Sequence, residues 1–296
     1  MRPTSTCRST SVDQNASARS ERLLPRFAVE RPRSLTDALD LLQRFGDDAA
    51  FYMGGTELLL LMKLGMADAS LLVDGKRLPE LRRLDSTDGI LRIGAGETHR
   101  DIERSPVVRT AMPALAALAR GVANLRVRNA GTLGGNLCFA EPHSDPATLL
   151  IALGAEVRLA STGGERTVAL EDFILGALTT ALADGEVMTE VHVPIPRHDV
   201  AVAYERVKFR ERPVVNVAVV HDAHAPRVVV GAVGNHPCRV PEAEARLAAD
   251  PSDTDAVAAA AGAAANPVAD ADGSDDYKRH LVYVATKRAC TAAGVT

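Results

Sequence analysis

The first regular hydrophobic pattern of the chain has the period of a helix. Its apolar side chains, spaced to share one face, are Leu35, Ala38, Leu39 and Leu42. Ser34 can cap the start of this helix, and Gly46 can end it in a left-handed conformation. The following run AAFYM is typical of a buried strand and leads directly into Gly54 and Gly55, after which a helical pattern resumes in TELLLLMK. The first glycine pair is therefore predicted to form a strand-to-helix turn.

Strands and helices follow one another without strict alternation over the rest of the chain. Strands are predicted in SLLVD, GILRIG and EVRLAS, and the last of these leads into a hairpin turn at Gly163 and Gly164. From residue 201, the runs AVAYERVKF, VVNVAVVHD and RVVVGAVGN predict a three-stranded antiparallel sheet. Helices are predicted at about 241–249, at about 252–265 and from Ser274 onward. The fold class is therefore predicted as α+β.

The same pattern divides the chain into an extension and two domains. Residues 1–21 are rich in serine and threonine and lack the apolar segment of a secretory signal, so they are predicted to be a disordered extension. Residues 22–198 are predicted to form a large domain with lobes at about 22–78 and 79–198. Residues 199–292 are predicted to form a smaller carboxyl-terminal domain.

Composition and charge argue against several classes of function. The 34 basic and 38 acidic residues give a net charge of −4, which favours neither nucleic acid nor an anionic membrane. The cysteines lie far apart, without the spacing of zinc or iron–sulphur ligands, and are Cys7, Cys138, Cys238 and Cys290. No metal site is therefore predicted, and free thiols indicate a reducing cytoplasm. The longest apolar runs are shorter than the roughly 20 residues of a membrane span.

Two glycine pairs are the strongest candidates for chemistry. Gly54 and Gly55 precede Thr56, and the second loop reads TLGGN at residues 132–136. Glycine removes the Cβ atoms that block a ligand and leaves consecutive N–H groups for phosphate oxygens. A simple turn explains one such pair, whereas two similar loops suggest one shared ligand. The run GAGETHR at residues 94–100 lacks the third glycine of a dinucleotide fingerprint, and the sequence contains no phosphate-binding P-loop motif.

Several motifs in a fixed order identify a family. They are PRSLTDALDLL, GGTELLLLMK, LRIGAGETHRDIE, RVRNAGTLGGNL, SDPATLLIALGAEV and GEVMTEVHVPIP. Over residues 24–292 the chain resembles the FAD-binding (medium) subunit of the molybdenum hydroxylase family, which includes carbon monoxide dehydrogenase, xanthine dehydrogenase and the aromatic-CoA reductases. The resemblance implies a two-lobed FAD-binding domain of the vanillyl-oxidase-like (PCMH) type, with FAD held between its lobes, followed by a small carboxyl-terminal domain.

The resemblance also implies which residues contact FAD. Both glycine loops are expected to present backbone amides and small side chains to the pyrophosphate and ribityl chain, and Asp145 is expected to accept a hydrogen bond from a cofactor hydroxyl. Met188 and Val122 match positions that line the site, and either Arg206 or Lys208 supplies a cation. No catalytic side chain is expected. The full expected set is Phe51, Tyr52, Met53, Gly54, Gly55, Thr56, Glu57, Leu58, Val122, Thr132, Leu133, Gly134, Gly135, Asn136, Asp145, Met188 and Arg206.

Other side chains near these motifs have two interpretations each. His99 can face the cofactor or lie on the surface at a helix start, which is the commoner arrangement. Arg128 can meet a phosphate or form a surface salt bridge, and Glu57 can contact FAD or cap the helix that follows it. His143 can contact the flavin or remain outside the site, and Asn124 has no assigned role.

The function implied by the resemblance is electron transfer. An FAD-carrying subunit of this family accepts electrons from a small two-cluster iron–sulphur subunit and delivers them to NAD⁺, a quinone or oxygen, while a large molybdopterin subunit converts the substrate. A self-contained FAD-dependent oxidoreductase and a scaffold subunit that has lost FAD are the alternatives. Thr56 and Glu57 stand where carbon monoxide dehydrogenases usually have His-Ser, which favours an organic substrate.

Overall fold

The computed structural model describes residues 24–295 and has the predicted α+β fold. The predicted disordered extension, residues 1–21, lies outside the described residues. Three main sheets follow one another along the chain, and a two-stranded hairpin accompanies the second sheet. The boundaries of the two lobes and of the carboxyl-terminal domain stay a prediction.

The first sheet is parallel and carries the first glycine loop at one end. Its strands, in the spatial order β1-β3-β2, are β1 (Ala28–Glu30), β2 (Ala49–Tyr52) and β3 (Leu71–Asp74). The helices of this lobe are α1 (Leu35–Phe45) and α2 (Leu58–Lys63). As predicted, the Ser34 side chain accepts a hydrogen bond from the backbone N–H of Asp37, and Gly46 ends α1 with φ 51°. The chain leaves β2 at Tyr52 and enters α2 at Leu58, so the first loop is a strand-to-helix turn.

The second sheet is antiparallel and has the spatial order β4-β5-β10-β6-β7. Its strands are β4 (Leu84–Thr87), β5 (Ile90–Gly94), β6 (Glu156–Ser161), β7 (Gly164–Ala169) and β10 (Val187–Pro194). The accompanying hairpin pairs β8 (Ile174–Gly176) with β9 (Thr179–Thr180). The predicted hairpin turn between β6 and β7 is confirmed.

Helices fill the long connection between β5 and β6. They are α3 (His99–Arg104), α4 (Pro106–Ala111), α5 (Pro113–Arg120), α6 (Leu125–Ala130), α7 (Leu133–Phe139) and α8 (Asp145–Ala152), and α9 (Leu170–Phe173) follows β7. The second glycine loop forms the first turn of α7, where the Thr132 side chain accepts a hydrogen bond from the backbone N–H of Gly135. Every residue of α8 is buried, so this helix lies in the centre of the main hydrophobic core.

The carboxyl-terminal sheet has four antiparallel strands, whereas three were predicted. They are β11 (Ala201–Val207), β12 (Val215–His221), β13 (Arg227–Gly231) and β14 (Cys238–Arg239). The extra strand β14 contains only two residues, too few to show an alternating pattern in the sequence. The helices of this unit are α10 (Pro241–Ala249), α11 (Thr254–Ala264) and α12 (Asp275–Ala292), in agreement with the prediction. The buried helix α8 packs against β12 and β13, which joins this sheet to the rest of the molecule.

Candidate functional site

A cavity of about 620 Å³ contains most of the expected cofactor-binding residues. Its size is within the range of cofactor sites. All members of the expected set line it except Leu133, which is buried, and Arg206, which is hydrogen-bonded to Asp145. Both lobes contribute to the wall, and the turn between β11 and β12 adds Glu211, Arg212 and Pro213.

The two glycine loops meet in space, as the sequence suggested. A Cβ atom on Gly54 would lie against the carbonyl oxygen of Ala130 and 2.8 Å from Cα of Gly131, which immediately precedes the second loop. Non-bonded atoms do not approach so closely, so only glycine fits at position 54. The absence of this side chain therefore lets the first loop pack directly on the backbone that leads into the second.

The first loop offers a run of unpaired backbone donors. Within residues 24–295, none of the N–H groups of residues 54–58 donates a hydrogen bond to another protein atom. Gly55 has φ 69°, a left-handed conformation of the kind found in anion-binding turns. Buried or half-buried N–H groups normally have a partner, so this run is suited to the oxygens of an anionic ligand. We name this run of free N–H groups, residues 54–58, the anion cradle.

The second loop differs from the expectation, because its amides are used inside the protein. Leu133 N–H donates to the carbonyl of Glu97 at 2.9 Å, and Gly134 N–H donates to the carbonyl of Ala95 at 3.0 Å. These bonds fasten the loop to the segment after β5. The sequence did not indicate this pairing, because the two segments lie more than thirty residues apart. The second loop thus contributes small side chains and a fixed wall rather than free donors.

Asp145 is held by two side chains from the carboxyl-terminal sheet. Its Oδ1 accepts hydrogen bonds from the Tyr204 hydroxyl at 2.6 Å and from Nη1 of Arg206 at 2.9 Å. Burial and the neighbouring carboxylate raise the pKa of Tyr204 well above its usual value, so this phenol remains a donor. Arg206 is therefore the cation next to Asp145, whereas Lys208 reaches the carbonyl of Gly121 at 3.4 Å.

A buried polar network connects the cavity wall to the carboxyl-terminal sheet. The Ser144 hydroxyl donates to Oδ1 of Asn136 at 2.7 Å, and Nδ2 of Asn216 donates to the carbonyl of Ser144 at 3.0 Å. Oδ1 of Asn216 accepts a hydrogen bond from the Thr148 hydroxyl at 2.7 Å, and both Asn216 and Thr148 are fully buried. A satisfied buried network fixes its members in one arrangement. The carboxyl-terminal sheet thereby positions Asn136 as well as Asp145.

Arg212 is a site residue that the sequence analysis missed. Its guanidinium pairs with Glu57 of the first loop at 3.2 Å and with Glu141 at 3.2 Å, so it connects two segments of the cavity lining. Burial raises the pKa of Glu57, Arg212 lowers it and Glu141 raises it, with a net increase above the ordinary value of 4.5. Glu57 makes no side-chain hydrogen bond that caps α2, so the capping interpretation is wrong. The only signal in the sequence was the charged run KFRER, which is typical of any exposed turn.

Arg212→Gln is expected to raise the pKa of Glu57 further, because the guanidinium that lowers it is removed. At neutral pH the variant should lose less than about 1 kcal/mol of unfolding free energy, since Arg212 is about half exposed. A carboxyl whose pKa is raised by folding opposes folding at pH values above that pKa, and this cost disappears as the group protonates. The deficit should therefore shrink as the pH falls toward 4.5 and below, which urea denaturation at a series of pH values would measure. Arg210→Gln, in the same turn, is the control, and an equally large deficit at every pH would contradict the prediction.

His99 is buried, contrary to the expected surface position. It is 2% exposed and lines the cavity. Burial, followed by the nearby charge of Arg128, lowers the pKa of His99 to about 4, so the imidazole is neutral at physiological pH. Thr98 caps α3 through a reciprocal hydrogen-bond pair with Asp101, which fixes the backbone of His99 at the start of the helix. The local sequence predicted the start of the helix but not the tertiary packing that buries His99.

Other uncertain side chains have structural roles. Nη1 of Arg128 donates to the carbonyl of Val122 at 2.9 Å and to that of Ala123 at 3.2 Å, so it supports the backbone of the cavity wall. Asn124 caps α6 and also donates to Glu211 at 2.9 Å. His143 lines the cavity and contacts Glu141 at 3.0 Å. Nε of Arg128 also lies 4.0 Å from a carboxylate oxygen of Glu103, so Arg128 forms a salt bridge, and the phosphate contact stays a prediction.

Comparison with known families identifies the chain. The family model for the FAD binding domain in molybdopterin dehydrogenase matches residues 25–196, more than half of the chain. The chain belongs to this family. The model for the CO dehydrogenase flavoprotein C-terminal domain matches residues 200–293. FAD is therefore the cofactor of this molybdenum hydroxylase flavoprotein subunit, and the free N–H groups of its first loop fit the pyrophosphate of FAD.

Similar proteins include subunits of several molybdenum hydroxylases. The carbon monoxide dehydrogenase medium chain of Hydrogenophaga pseudoflava is 35% identical over 91% of this chain and 97% of the relative. The nicotine 6-hydroxylase medium subunit of Paenarthrobacter nicotinovorans is 32% identical over 92% and 98%. A solved structure of quinoline 2-oxidoreductase from Pseudomonas putida 86 matches with a TM-score of 0.86 at 31% identity, covering 91% of this chain and 97% of that one. The chain is thus an oxidoreductase subunit of the type found in multi-subunit complexes.

Within residues 24–295, no helix combines the length and the apolar character needed to cross a bilayer.

Proposed function

We propose that this flavoprotein subunit passes electrons between the iron–sulphur clusters of a small partner subunit and an external acceptor, which is NAD⁺, a quinone or oxygen. Substrate conversion takes place on a separate large molybdopterin subunit, so the working assembly is a heterotrimer. The observation that carries this proposal is the single cavity formed where the two glycine loops meet. The bound FAD supplies the redox chemistry, and the protein supplies position and electrostatics.

The chain binds FAD mainly through neutral groups in this proposal. The cavity lining is rich in carboxylates, and Arg212 is the only lysine or arginine in the lining among the described residues. The N–H groups of residues 54–58 therefore hold the pyrophosphate, and Asp145 accepts a hydrogen bond from a hydroxyl of FAD. The side chains of Thr132 and Asn136 border the same space, and Val122 and Met188 form an apolar wall that excludes water.

The partners and the compartment are inferred from the relatives and from the thiols. Similar proteins carry the names medium chain, medium subunit and FAD-subunit, which supports a place beside a larger and a smaller chain. Cys138, Cys238 and Cys290 are free thiols, in agreement with the reducing environment of the cytoplasm. Cys138 lines the cavity, and burial raises the pKa of its thiol to about 12, so it is protonated and unreactive.

Purification of the full-length chain with its bound partners, followed by flavin and metal analysis, tests the proposal. We expect one FAD per chain, and we expect iron and molybdenum only in companion proteins. Reduction of the bound flavin by substrate should require those companions. A chain that stays colourless and cannot be reconstituted with FAD would support the scaffold alternative. Turnover of an alcohol or enol substrate by the isolated chain would support the self-contained oxidoreductase.

A further inference from the structure

His99 is a buried side chain whose ring nitrogens have no protein partner. Among the described residues, neither ring nitrogen takes part in a hydrogen bond. In the described part of the chain, Nε of Arg128 is the one side-chain nitrogen or oxygen that is both shielded from solvent and without a hydrogen-bond partner. The ring nitrogens of His99 also lack a partner, so they are not completely shielded, although the residue is only 2% exposed. Because His99 lines the cavity, we infer that its ring nitrogens are accessible from the cavity.

The imidazole lies where the two glycine loops meet. The backbone N–H of His99 donates to the carbonyl of Gly131 at 3.1 Å. A Cβ atom on Gly131 would lie 3.4 Å from Oγ1 of Thr56 and 3.5 Å from Cδ2 of His99, so these two side chains flank the same glycine. Thr56 belongs to the loop with the free N–H groups. His99 is therefore next to the anion cradle, on the side of the second loop.

The imidazole of His99 can supply a hydrogen-bond donor at this place. A neutral imidazole carries one N–H donor and one acceptor nitrogen. The guanidinium of Arg212 is already paired with Glu57 and Glu141, so it is not free to bind a phosphate. A buried polar group without a hydrogen-bond partner lowers the stability of the fold, and a bound ligand that forms the missing hydrogen bond removes this penalty.

We propose that His99 is an FAD-binding residue whose imidazole N–H donates a hydrogen bond to the diphosphate–ribityl part of the cofactor. The inference rests on the binding of FAD by this chain. It adds a side-chain contact to the backbone cradle and accounts for a buried histidine without a protein partner.

His99→Leu tests the proposal in the full-length chain, with any bound partner retained and the flavin removed. We expect the Kd for FAD, measured by flavin fluorescence, to rise about tenfold or more, because a hydrogen bond to a charged group is lost. His99→Gln keeps a donor and should restore most of the affinity. His192→Leu is the matched control, since His192 is half-buried, contacts Glu190 at 2.6 Å and does not line the cavity, and its Kd should change less than about twofold.

Thermal unfolding separates binding from a structural role. Without FAD, His99→Leu should leave the Tm unchanged or raise it, because an unpaired polar group is replaced by an apolar one. The increase in Tm on adding FAD should be smaller than in the wild type. An unchanged Kd, or a lower Tm without FAD together with an undiminished gain on adding FAD, would overturn the proposal. A wild-type chain that binds no FAD would overturn the proposed function as well, which distinguishes the two failures.

Discussion

Gly54→Val is expected to abolish FAD binding. Any Cβ atom at this position meets the carbonyl oxygen of Ala130 and Cα of Gly131, and these are backbone atoms that cannot rotate away. The first loop must therefore move off the second, which separates the free N–H groups from the rest of the cavity. Overpacking of this kind costs about 3 kcal/mol of unfolding free energy. Flavin content after purification and urea denaturation of the chain measure the two effects.

Gly176→Val is the control for this experiment. Gly176 lies in the short strand β8, has open space around the position of a Cβ atom and has no positive φ. The same change of residue should therefore leave FAD binding and unfolding free energy nearly unchanged. Normal flavin content in Gly54→Val would show that the contact between the two loops is not needed for the site.

Asp145→Ala is expected to weaken both the fold and the site. The carboxylate is 4% exposed and is the acceptor for the Tyr204 hydroxyl and the Arg206 guanidinium. Its removal leaves the half-buried Arg206 guanidinium and the half-buried Tyr204 hydroxyl without this acceptor, which costs about 3 kcal/mol of unfolding free energy. FAD affinity should fall as well, because the proposed acceptor for a cofactor hydroxyl is gone. Urea denaturation and FAD titration give the two values.

Asp199→Ala is the matched control for Asp145→Ala. Asp199 also pairs with an arginine, Arg197, at 3.1 Å, but both side chains are more than half exposed. A surface pair contributes little, so the expected loss is below about 1 kcal/mol and FAD affinity should not change. An equal loss in both variants would mean that the burial of Asp145 has no energetic consequence.

Local signals in the sequence were enough for much of the fold. Ser34 and Gly46 mark the ends of a helix because capping depends on a few neighbouring residues, and both predictions are confirmed. The two-residue strand β14 was missed because a strand so short has no periodicity. The two glycine pairs were visible for the same local reason, and the family resemblance named FAD as their shared ligand.

The sequence alone did not predict contacts between residues that are far apart along the chain. The partners of Asp145 lie 59 and 61 residues away from it along the chain, and no local pattern connects them. Arg212 is 155 residues from Glu57, in a turn whose charges suggested only solvent exposure. His99 was placed on the surface because an isolated helix start is usually exposed, whereas tertiary packing covers this one.

The buried link between Asn216 and the cavity wall bears on when the cofactor can enter a new chain. Synthesis begins at the amino terminus, so the two glycine loops leave the ribosome well before Tyr204, Arg206 and Asn216. Until those residues emerge and the last sheet docks on α8, Asp145 and Ser144 lack the bonds that fix them. We therefore expect flavin capture to be a late step in biogenesis, and a nascent polypeptide stalled before residue 200 to remain flavin-free.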